Sequence, residues 1–437
     1  MTQYERDLAP PPKKQLLIAA VIGTTLEWYD FMFFGTLAAL VISPLFFPEM
    51  DPLTGQLSAF ATFGVAFIAR PLGALFFGHL ADRFGRKISL TWTILLMGGA
   101  TVLMGILPTH ATLGATASVL LVALRIVQGL AVGGEWGSAA TMLLEYAPPN
   151  ERARYTVWVQ TGGVIGPTLG SLVVLGLSLT LSSQQLFSWG WRLPFFVSVA
   201  LVAVGFYIRR NIPEPPASPA RTRGTVGNRF PLVSLLRHSS RELILVILMY
   251  IPQVTMTYLA LTFFVSYTTG NGVSRTVALT GTTIAGIVTC FLALFGRFFD
   301  RTNLKKLYLT GCLIICVAAF PLFALLNTRN PLLVIAAITL AYLCSVLLFM
   351  LQGALFTPLF DAEYRATGAS VGVQLGSIVG GGFAPAIATA LLAAGGGHSW
   401  MVSLYIIGVA LIGAVAAGLV NSNRLATPDS ELETAMT

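Results

Sequence analysis

The sequence predicts an all-α polytopic membrane protein with twelve transmembrane helices. Of its 437 residues, 55% are hydrophobic and only 10% are charged, whereas soluble domains carry about 25% charged residues. The apolar residues gather in long segments, and most Lys and Arg residues fall in the loops between them. A chain of this composition lacks the polar surface of a soluble protein, so the lipid bilayer is its expected solvent.

Each apolar segment is long enough to cross a membrane as a helix. At ~1.5 Å per residue, such a segment covers a hydrocarbon core of ~30 Å. No cleavable signal peptide is expected, because the first segment is too long and has no small-residue cleavage site. The twelve segments are 16–42, 56–80, 88–108, 114–143, 155–181, 190–208, 242–267, 277–299, 307–326, 331–356, 368–393 and 399–420.

A polar stretch separates the sixth segment from the seventh. The sequence "RRNIPEPPASPARTRGTVGNRF" (209–230) is rich in Pro and Arg and cannot span a bilayer, so it is interpreted as a linker. The expected organisation is an N-terminal six-helix half at 1–208, a cytoplasmic linker at 209–241 and a C-terminal six-helix half at 242–437.

The two halves are weakly similar to each other. "GHLADRFGRK" (78–87) follows the second segment and "GRFFDRTNLKK" (296–306) follows the eighth. "NERAR" (150–154) precedes the fifth segment and "AEYRATG" (362–368) precedes the eleventh. Chance similarity between basic loops is the alternative, but two matches at corresponding places favour parallel repeats with a central site between the halves.

The distribution of basic residues predicts the orientation in the membrane. The formal net charge is +8, and its position in loops favours the positive-inside rule over nucleic-acid binding. One set of loops carries almost all of the basic residues, whereas the opposite loops hold only Arg275 and Arg329. Both termini and the central linker are therefore expected on the cytoplasmic side of the membrane.

Five ionisable residues lie deep inside the apolar segments, away from the segment ends, and they form the first set of candidate site residues. At 1.5 Å per residue, Glu27, Arg70 and Glu135 all lie roughly 15–18 Å from the cytoplasmic end of their segments, whereas Arg125 lies closer to the outer face. Asp30 is three residues after Glu27, so the two carboxylates are expected on the same helix face. A charge at such depth is costly, and it is by default a sign of function. The five are Glu27, Asp30, Arg70, Arg125 and Glu135.

These charges predict either a coupling device or a structural network. A carboxylate beside an arginine is stabilised in its ionised form, and that support weakens when an anionic solute occupies the arginine. This competition would couple a proton to solute, with Asp30 as the favoured proton carrier and Glu27 paired to an arginine. The alternative is a buried ion-pair network that fixes helix packing.

Uncharged polar residues inside the segments are further candidates. Each amide or hydroxyl can meet a solute or equally bond a neighbouring helix. The aromatic residues around the acidic pair, such as Trp28 and Phe31, are expected to serve packing. The predicted solute-binding set is Arg70, Arg125, Gln128, Gln160, Tyr258, Gln352 and Gln374.

Four sequence motifs resemble a known family. "GHLADRFGRK" (78–87) resembles the loop 2–3 signature of the major facilitator superfamily, and "LRIVQGLAVGGEWGSAA" (124–140) resembles its fourth-helix motif. Together, "EWYDF", "RPLGALFFGHLADRFGRK", "RIVQGLAVGGEWG" and "FSWGWRLPFF" are similar to the metabolite:proton symporter family, closest to its shikimate-transporter-like members. The resemblance extends over nearly the whole chain.

The resemblance implies the major facilitator fold, alternating access and proton-driven symport of a small organic acid or zwitterion across a bacterial inner membrane. It places Arg125 at a proton-linked position, and the buried carboxylates Asp30, Glu27 and Glu135 complete the predicted proton-coupling set. It also implies a conformational latch that does not touch solute, formed by Gly78, Asp82, Arg83, Gly85, Arg86, Lys87, Glu145, Asp300, Arg301 and Arg365.

Alternative functions have less support in the sequence. "GPTLGS" (166–171) partly resembles the fifth-helix motif of drug/proton antiporters, so export of a drug-like or anionic compound is the second hypothesis. An enzyme is not expected, because no nucleophile–base set or phosphate loop is evident. The predicted partners are a small solute, protons and the lipid bilayer, without nucleic acid, metal or cofactor, and the predicted state is a monomer driven by the proton gradient.

Overall fold

The computed structural model describes residues 13–84, 86–146, 152–210, 235, 237–293, 303–360 and 365–421. Every regular element within these residues is a helix. Ten helices are long and apolar enough to cross a membrane, and two shorter apolar helices, Thr91–Ile106 and Arg275–Phe291, complete the set. The prediction of an all-α protein with twelve membrane helices is therefore confirmed.

The first six membrane helices form one bundle. Helix α1 continues through a π-helical turn at Ala38–Ile42 into a short helix at Ser43–Phe46. The bounds are α1 Lys13–Leu37, α2 Pro52–Phe84, α3 Arg86–Ile106, α4 Ala115–Tyr146, α5 Arg152–Thr180 and α6 Leu193–Arg210.

The last six membrane helices form the second bundle. A π-helical turn at Leu259–Phe263 joins α7 to Phe264–Gly270, and another at Ile378–Gly382 leads from α11 to Ala384–Ala394. The bounds are α7 Ser240–Tyr258, α8 Arg275–Ala293, α9 Leu304–Asn327, α10 Pro331–Phe356, α11 Arg365–Ser377 and α12 Trp400–Gly418. The predicted linker falls largely outside the described residues, so its boundaries stay a prediction.

Side-chain contacts define two faces of the molecule. Lys305 Nζ donates to the carbonyls of Gly418 and Val420 at 2.9 and 2.8 Å, and Arg241 donates to the carbonyl of Leu419 at 3.2 Å. These bonds bring the first residues of α7 and α9 to the end of α12. We call this end of the bundles the linker face and the other end the opposite face.

Arg192 corrects the predicted distribution of basic residues. Its guanidinium donates to the carbonyls of Ser188 at 2.9 Å and Leu107 at 3.4 Å, which places it at the end of α3 on the opposite face. The statement that only Arg275 and Arg329 lie on that face was therefore wrong. Arg192 has apolar residues on both sides in the sequence, so it was included in the sixth apolar segment, 190–208.

Close packing within the first bundle depends on glycine. A Cβ atom added to Gly129 of α4 would lie 2.1 Å from the carbonyl oxygen of Ala66 on α2, and one on Gly133 would lie 1.9 Å from that of Arg70. Helices α1 and α5 approach similarly at Gly162 and Gly166, where the added Cβ would lie 2.5 Å from α1 carbonyl oxygens. These contacts hold α4 against α2 and α5 against α1, and the buried charges are carried by α1, α2 and α4.

Substitution of Gly129 by Ala is expected to lower the thermal unfolding temperature of the purified protein. The added methyl group must separate α2 from α4, and overpacking of this kind costs ~1–3 kcal/mol. The control is Gly99→Ala on α3, where an added Cβ meets nothing within 4 Å. Because Ala is a better helix former than Gly by about 0.5–1 kcal/mol, the control substitution should not destabilise α3. Equal unfolding temperatures for the two variants would contradict this account of α2–α4 packing.

The two bundles touch each other through small residues. An added Cβ on Gly35 of α1 would lie 2.9 Å from Thr262 Oγ1 in the π turn of α7, and one on Gly64 of α2 would lie 2.7 Å from the carbonyl oxygen of Gly382. Helices α5 and α8 meet where Thr168 lies against Gly286 and Cys290. The buried charges of α1, α2 and α4 therefore lie beside a second bundle rather than lipid.

Candidate functional site

Arg70 and Glu27 form a buried ion pair between α2 and α1. Arg70 Nη1 lies 3.7 Å from Glu27 Oε1, and the two residues are only 7% and 5% exposed. The guanidinium also lies 4.1 Å from the ring centre of Phe31 and 4.4 Å from that of Phe67. The pairing of Glu27 with an arginine, which the sequence suggested, is present in the structure.

Arg125 of α4 is completely buried among aromatic rings. Its guanidinium lies 4.1 Å from the ring centre of Phe34 and 4.8 Å from that of Phe31. It donates to the carbonyl of Phe63 at 3.2 Å and, over a short distance, to Gln128 Oε1. Phe31 thus contacts both guanidinium groups, and such cation–π contacts are strengthened by exclusion of water.

A chain of hydrogen bonds links Arg125 to Asp30. Gln128 Nε2 donates to Thr101 Oγ1 at 2.9 Å, and Thr101 Oγ1 donates to Asp30 Oδ2 at 2.9 Å. Ser198 of α6 donates to the other carboxylate oxygen of Asp30 over a short distance. Asp30 is 0% exposed, and its carboxylate is held between α3 and α6.

The expectation that Glu27 and Asp30 share one helix face needs correction. Glu27 is directed toward Arg70 on α2, whereas Asp30 is directed toward Thr101 on α3 and Ser198 on α6. Residues three apart differ by about 60° around a helix axis, and that angle suffices to send the side chains to different neighbours. The structure therefore contains two carboxylate sites rather than one acidic pair.

The α7 side of the charged cluster is formed by Tyr258. Its ring lies 5.3 Å from that of Phe63 and 5.4 Å from that of Phe67. The ring centre of Phe67 lies 4.4 Å from the guanidinium carbon of Arg70, and that of Phe63 lies 5.5 Å from the guanidinium carbon of Arg125. The second bundle therefore contributes to the same site as the two arginines.

The predicted glutamines occupy different environments. Gln352 of α10 donates to Gln253 of α7 at 2.8 Å, and Gln253 donates to Thr257 at 2.9 Å. Gln374 of α11 is 4% exposed, and its Oε1 has no partner among the described residues. Gln160 is half-buried on α5. Gln128 belongs to the Arg125 network, so helix bridging explains Gln352 and Gln128 without a solute.

Several predicted site residues fall outside the part of the chain whose side chains the structure describes. The side chain of Glu135 lies outside the described residues, as do all side chains of the predicted latch: Gly78, Asp82, Arg83, Gly85, Arg86, Lys87, Glu145, Asp300, Arg301 and Arg365. Their roles stay predictions. Among the described residues, no group of three or more His, Cys, Asp or Glu side chains is arranged to hold a metal ion.

Sequence reasoning missed Thr101 and Ser198. Hydroxyl residues are common in membrane helices and usually bond a carbonyl of their own helix, so nothing in the sequence distinguishes these two. Phe31 was assigned to packing, but it also contacts both guanidinium groups. An aromatic residue one position from a buried carboxylate is a signal that could have suggested this role.

The structure has two six-helix bundles packed around a buried charged site, which is the architecture of a polytopic membrane transporter. Residues 23–373 match a sequence model described as Major Facilitator Superfamily. The chain therefore belongs to the Major Facilitator Superfamily, and it is a transporter rather than an enzyme.

Comparison with individual proteins agrees with this assignment. The chain is 38% identical to the shikimate transporter of Escherichia coli K12 over 419 residues, covering 94% of this chain and 95% of that protein. It is 30% identical to the proline/betaine transporter of the same strain, with coverage of 92% and 82%. A solved D-xylose–proton symporter has the same fold, with a TM-score of 0.73, 19% identity and coverage of 92% and 96%.

Proposed function

We propose that this protein is a proton-coupled symporter that imports a small organic acid or zwitterion across the bacterial inner membrane. The observation that carries the proposal is the pair of buried guanidinium groups beside the contact between the two bundles. The Nε atoms of Arg70 and Arg125 both lack a hydrogen-bond partner among the described residues. A buried donor without a partner is costly, and a carboxylate on the solute would supply one.

The chemistry of the site suits a carboxylate better than a neutral sugar or a cation. Guanidinium groups bind carboxylates through charge-assisted, often bidentate hydrogen bonds. Tyr258 and Gln374 offer further polar groups from the second bundle, and Gln374 Oε1 has no partner among the described residues. The names of the shikimate and proline/betaine transporters fit this proposal, because each of those solutes carries a carboxylate.

Asp30 is the proposed proton carrier. Its only route to positive charge in the described network runs through Thr101 and Gln128 to Arg125. A solute carboxylate that binds Arg125 competes with ionised Asp30 for this charge, so binding of solute favours the protonated acid. Proton and solute would then cross together, while Glu27 remains paired with Arg70.

Thr101 would act as a switch within this mechanism. Its Oγ1 lies 2.9 Å from Asp30 Oδ2 and 2.9 Å from the carbonyl oxygen of Met97. A hydroxyl group has a single proton, so it donates to one of these acceptors at a time. Donation to ionised Asp30 can change to donation to Met97 when Asp30 is protonated, which keeps every group satisfied in both states.

The proposal that solute moves into the cell rests on the orientation of the protein in the membrane. In the sequence, basic residues are concentrated in the loops predicted to be cytoplasmic, and the position of Arg192 on the opposite face does not reverse this bias. Under the positive-inside rule, the linker face is cytoplasmic. The predicted latch at the same face would set the balance between inward-open and outward-open states.

Uptake into proteoliposomes tests the proposal. Purified protein is first screened for thermal stabilisation by shikimate, 2-oxoglutarate, citrate, proline and betaine. Stabilising solutes are then supplied as radiolabelled compounds to liposomes with an imposed pH gradient. Accumulation against the solute gradient is expected only when protons flow inward with solute. Accumulation only when protons flow in the opposite direction would establish antiport and overturn symport.

A further inference from the structure

A cavity of about 520 Å³ lies on the opposite face of the second bundle, apart from the charged cluster. Its volume falls within the ~300–1,000 Å³ typical of small-molecule sites. Tyr267 lies nine residues after Tyr258 along the same helix, so the cavity is roughly 14 Å from the central site. Its walls include Tyr267, Asn271, Asn327, Arg329, His398 and Trp400.

The charged group of this cavity is Arg329, and its side chain is free to meet a ligand. Within the described part of the chain, Arg329 has no recorded hydrogen bond, ion pair or ring contact. The other arginines of the opposite face differ, because Arg192 bonds two carbonyls and Arg275 lies 5.5 Å from the ring centre of Phe187. The residues that line the cavity include no Asp or Glu, so its potential is positive.

Arg329 is also held in an unusual backbone conformation. Its φ angle is 57°, and it is the one residue other than glycine with a positive φ in the described ranges. The turn around it is fixed, since the amide of Asn330 donates to Thr328 Oγ1 at 3.2 Å and Asn330 Oδ1 accepts from the amide of Leu332 at 3.0 Å. The guanidinium therefore leaves a defined turn rather than a loose loop.

The side-chain amide of Asn327, next to Arg329, presents hydrogen-bond donors to the cavity. Tyr267 donates its hydroxyl proton to Asn327 Oδ1 at 2.5 Å, so the amide NH₂ of Asn327 remains available to a ligand. Tyr267 itself is fixed by Phe263, at a centroid distance of 5.9 Å, and by Phe323 at 5.4 Å. A guanidinium and an amide NH₂ together match an oxyanion.

From these observations we propose that the cavity binds a small organic anion. Its carboxylate would accept hydrogen bonds from Arg329 and from the Asn327 amide, and its carbon body would pack against the Trp400 ring, which is 47% exposed. A lipid headgroup phosphate presents the same oxyanion chemistry. The site goes beyond the proposed transport mechanism, because none of its residues contacts the buried arginines.

Fluorine NMR of protein labelled with 5-fluorotryptophan tests this site. The Trp400 resonance is identified by its loss in Trp400→Phe, and sodium benzoate is titrated into protein in phosphatidylcholine nanodiscs, with sodium chloride as the salt control. A saturable shift is expected. In Arg329→Gln the half-saturating concentration should rise about tenfold or more, as expected for loss of a charge-assisted hydrogen bond.

The matched control is Arg275→Gln, which removes a charge from the same face but not from the cavity, and it should leave the benzoate titration unchanged. No saturable shift, or an equal titration of Arg329→Gln and wild type, would overturn the proposal. Loss of the shift in Arg125→Gln but not in Arg329→Gln would also overturn it, because the Trp400 resonance would then report benzoate bound at the central site. A shift caused by phosphatidylglycerol and removed by Arg329→Gln would support the oxyanion site and identify a headgroup as its source.

Discussion

Replacing Asp30 with Asn is expected to abolish proton-driven accumulation of solute while solute exchange continues. Asn has the shape of the protonated acid and can still bond Thr101 and Ser198, but it cannot release a proton. The variant should therefore bind solute and interconvert between states without coupling. Uphill uptake into proteoliposomes under a pH gradient, compared with exchange of labelled for unlabelled solute, measures the two activities separately.

Asp51→Asn is the matched control for this experiment. Asp51 lies in an exposed turn and accepts hydrogen bonds from the amides of Leu53 and Thr54 at 3.1 Å. Asn is an equally good acceptor at such a position, so both activities should survive. Unchanged uphill uptake by Asp30→Asn would show that another group carries the proton, and Glu27 would then be the first residue to examine.

Replacing Arg125 with Gln is expected to raise the dissociation constant for an anionic solute by ~10-fold or more. The change removes the buried positive charge and its charge-assisted hydrogen bonds to the solute, and bonds of this kind contribute about 1.5–3 kcal/mol each. Arg125→Lys retains the charge but not the planar fork, so it should restore binding in part. Isothermal titration with the solute identified in the uptake screen measures the effect.

Folding must be separated from binding in this test. Arg125 also bonds Gln128 and the carbonyl of Phe63, and its loss removes its cation–π contacts with Phe31 and Phe34. Thermal unfolding of each variant is therefore measured alongside, with Arg275→Gln as the control for loss of an arginine elsewhere. A folded Arg125→Gln protein that binds with wild-type affinity would make Arg125 a structural residue.

The charged cluster shows where sequence reasoning succeeded. Depth along a helix follows from residue number, so Glu27 and Arg70 could be placed in one layer without a structure, with Arg125 closer to the outer face. Opposite charges in an apolar layer must be compensated, which led to the pairing of Glu27 with an arginine. The ion pair of Glu27 with Arg70, at 3.7 Å, agrees with that expectation.

The surroundings of Asp30 show where sequence reasoning ended. Thr101 and Ser198 lie on α3 and α6, distant in sequence from Asp30 by 71 and 168 positions. Their contacts depend on how three helices rotate about their axes, and no local pattern encodes that rotation. The same holds for the cavity of the second bundle, where Asn327 and Arg329 from the end of α9 meet His398 and Trp400 from the start of α12.

The sequence by itself determined the membrane environment, the twelve helices and the identity of the buried charges. Each of these follows from local composition, because a bilayer imposes the same length and polarity on every segment. The tertiary structure alone decided that Glu27 and Asp30 belong to different sites, that Phe31 lies against both arginines and that Thr101 links Gln128 to Asp30. Those features depend on how the helices rotate and pack against one another, as where Gly129 and Gly133 bring α4 into contact with the backbone of α2.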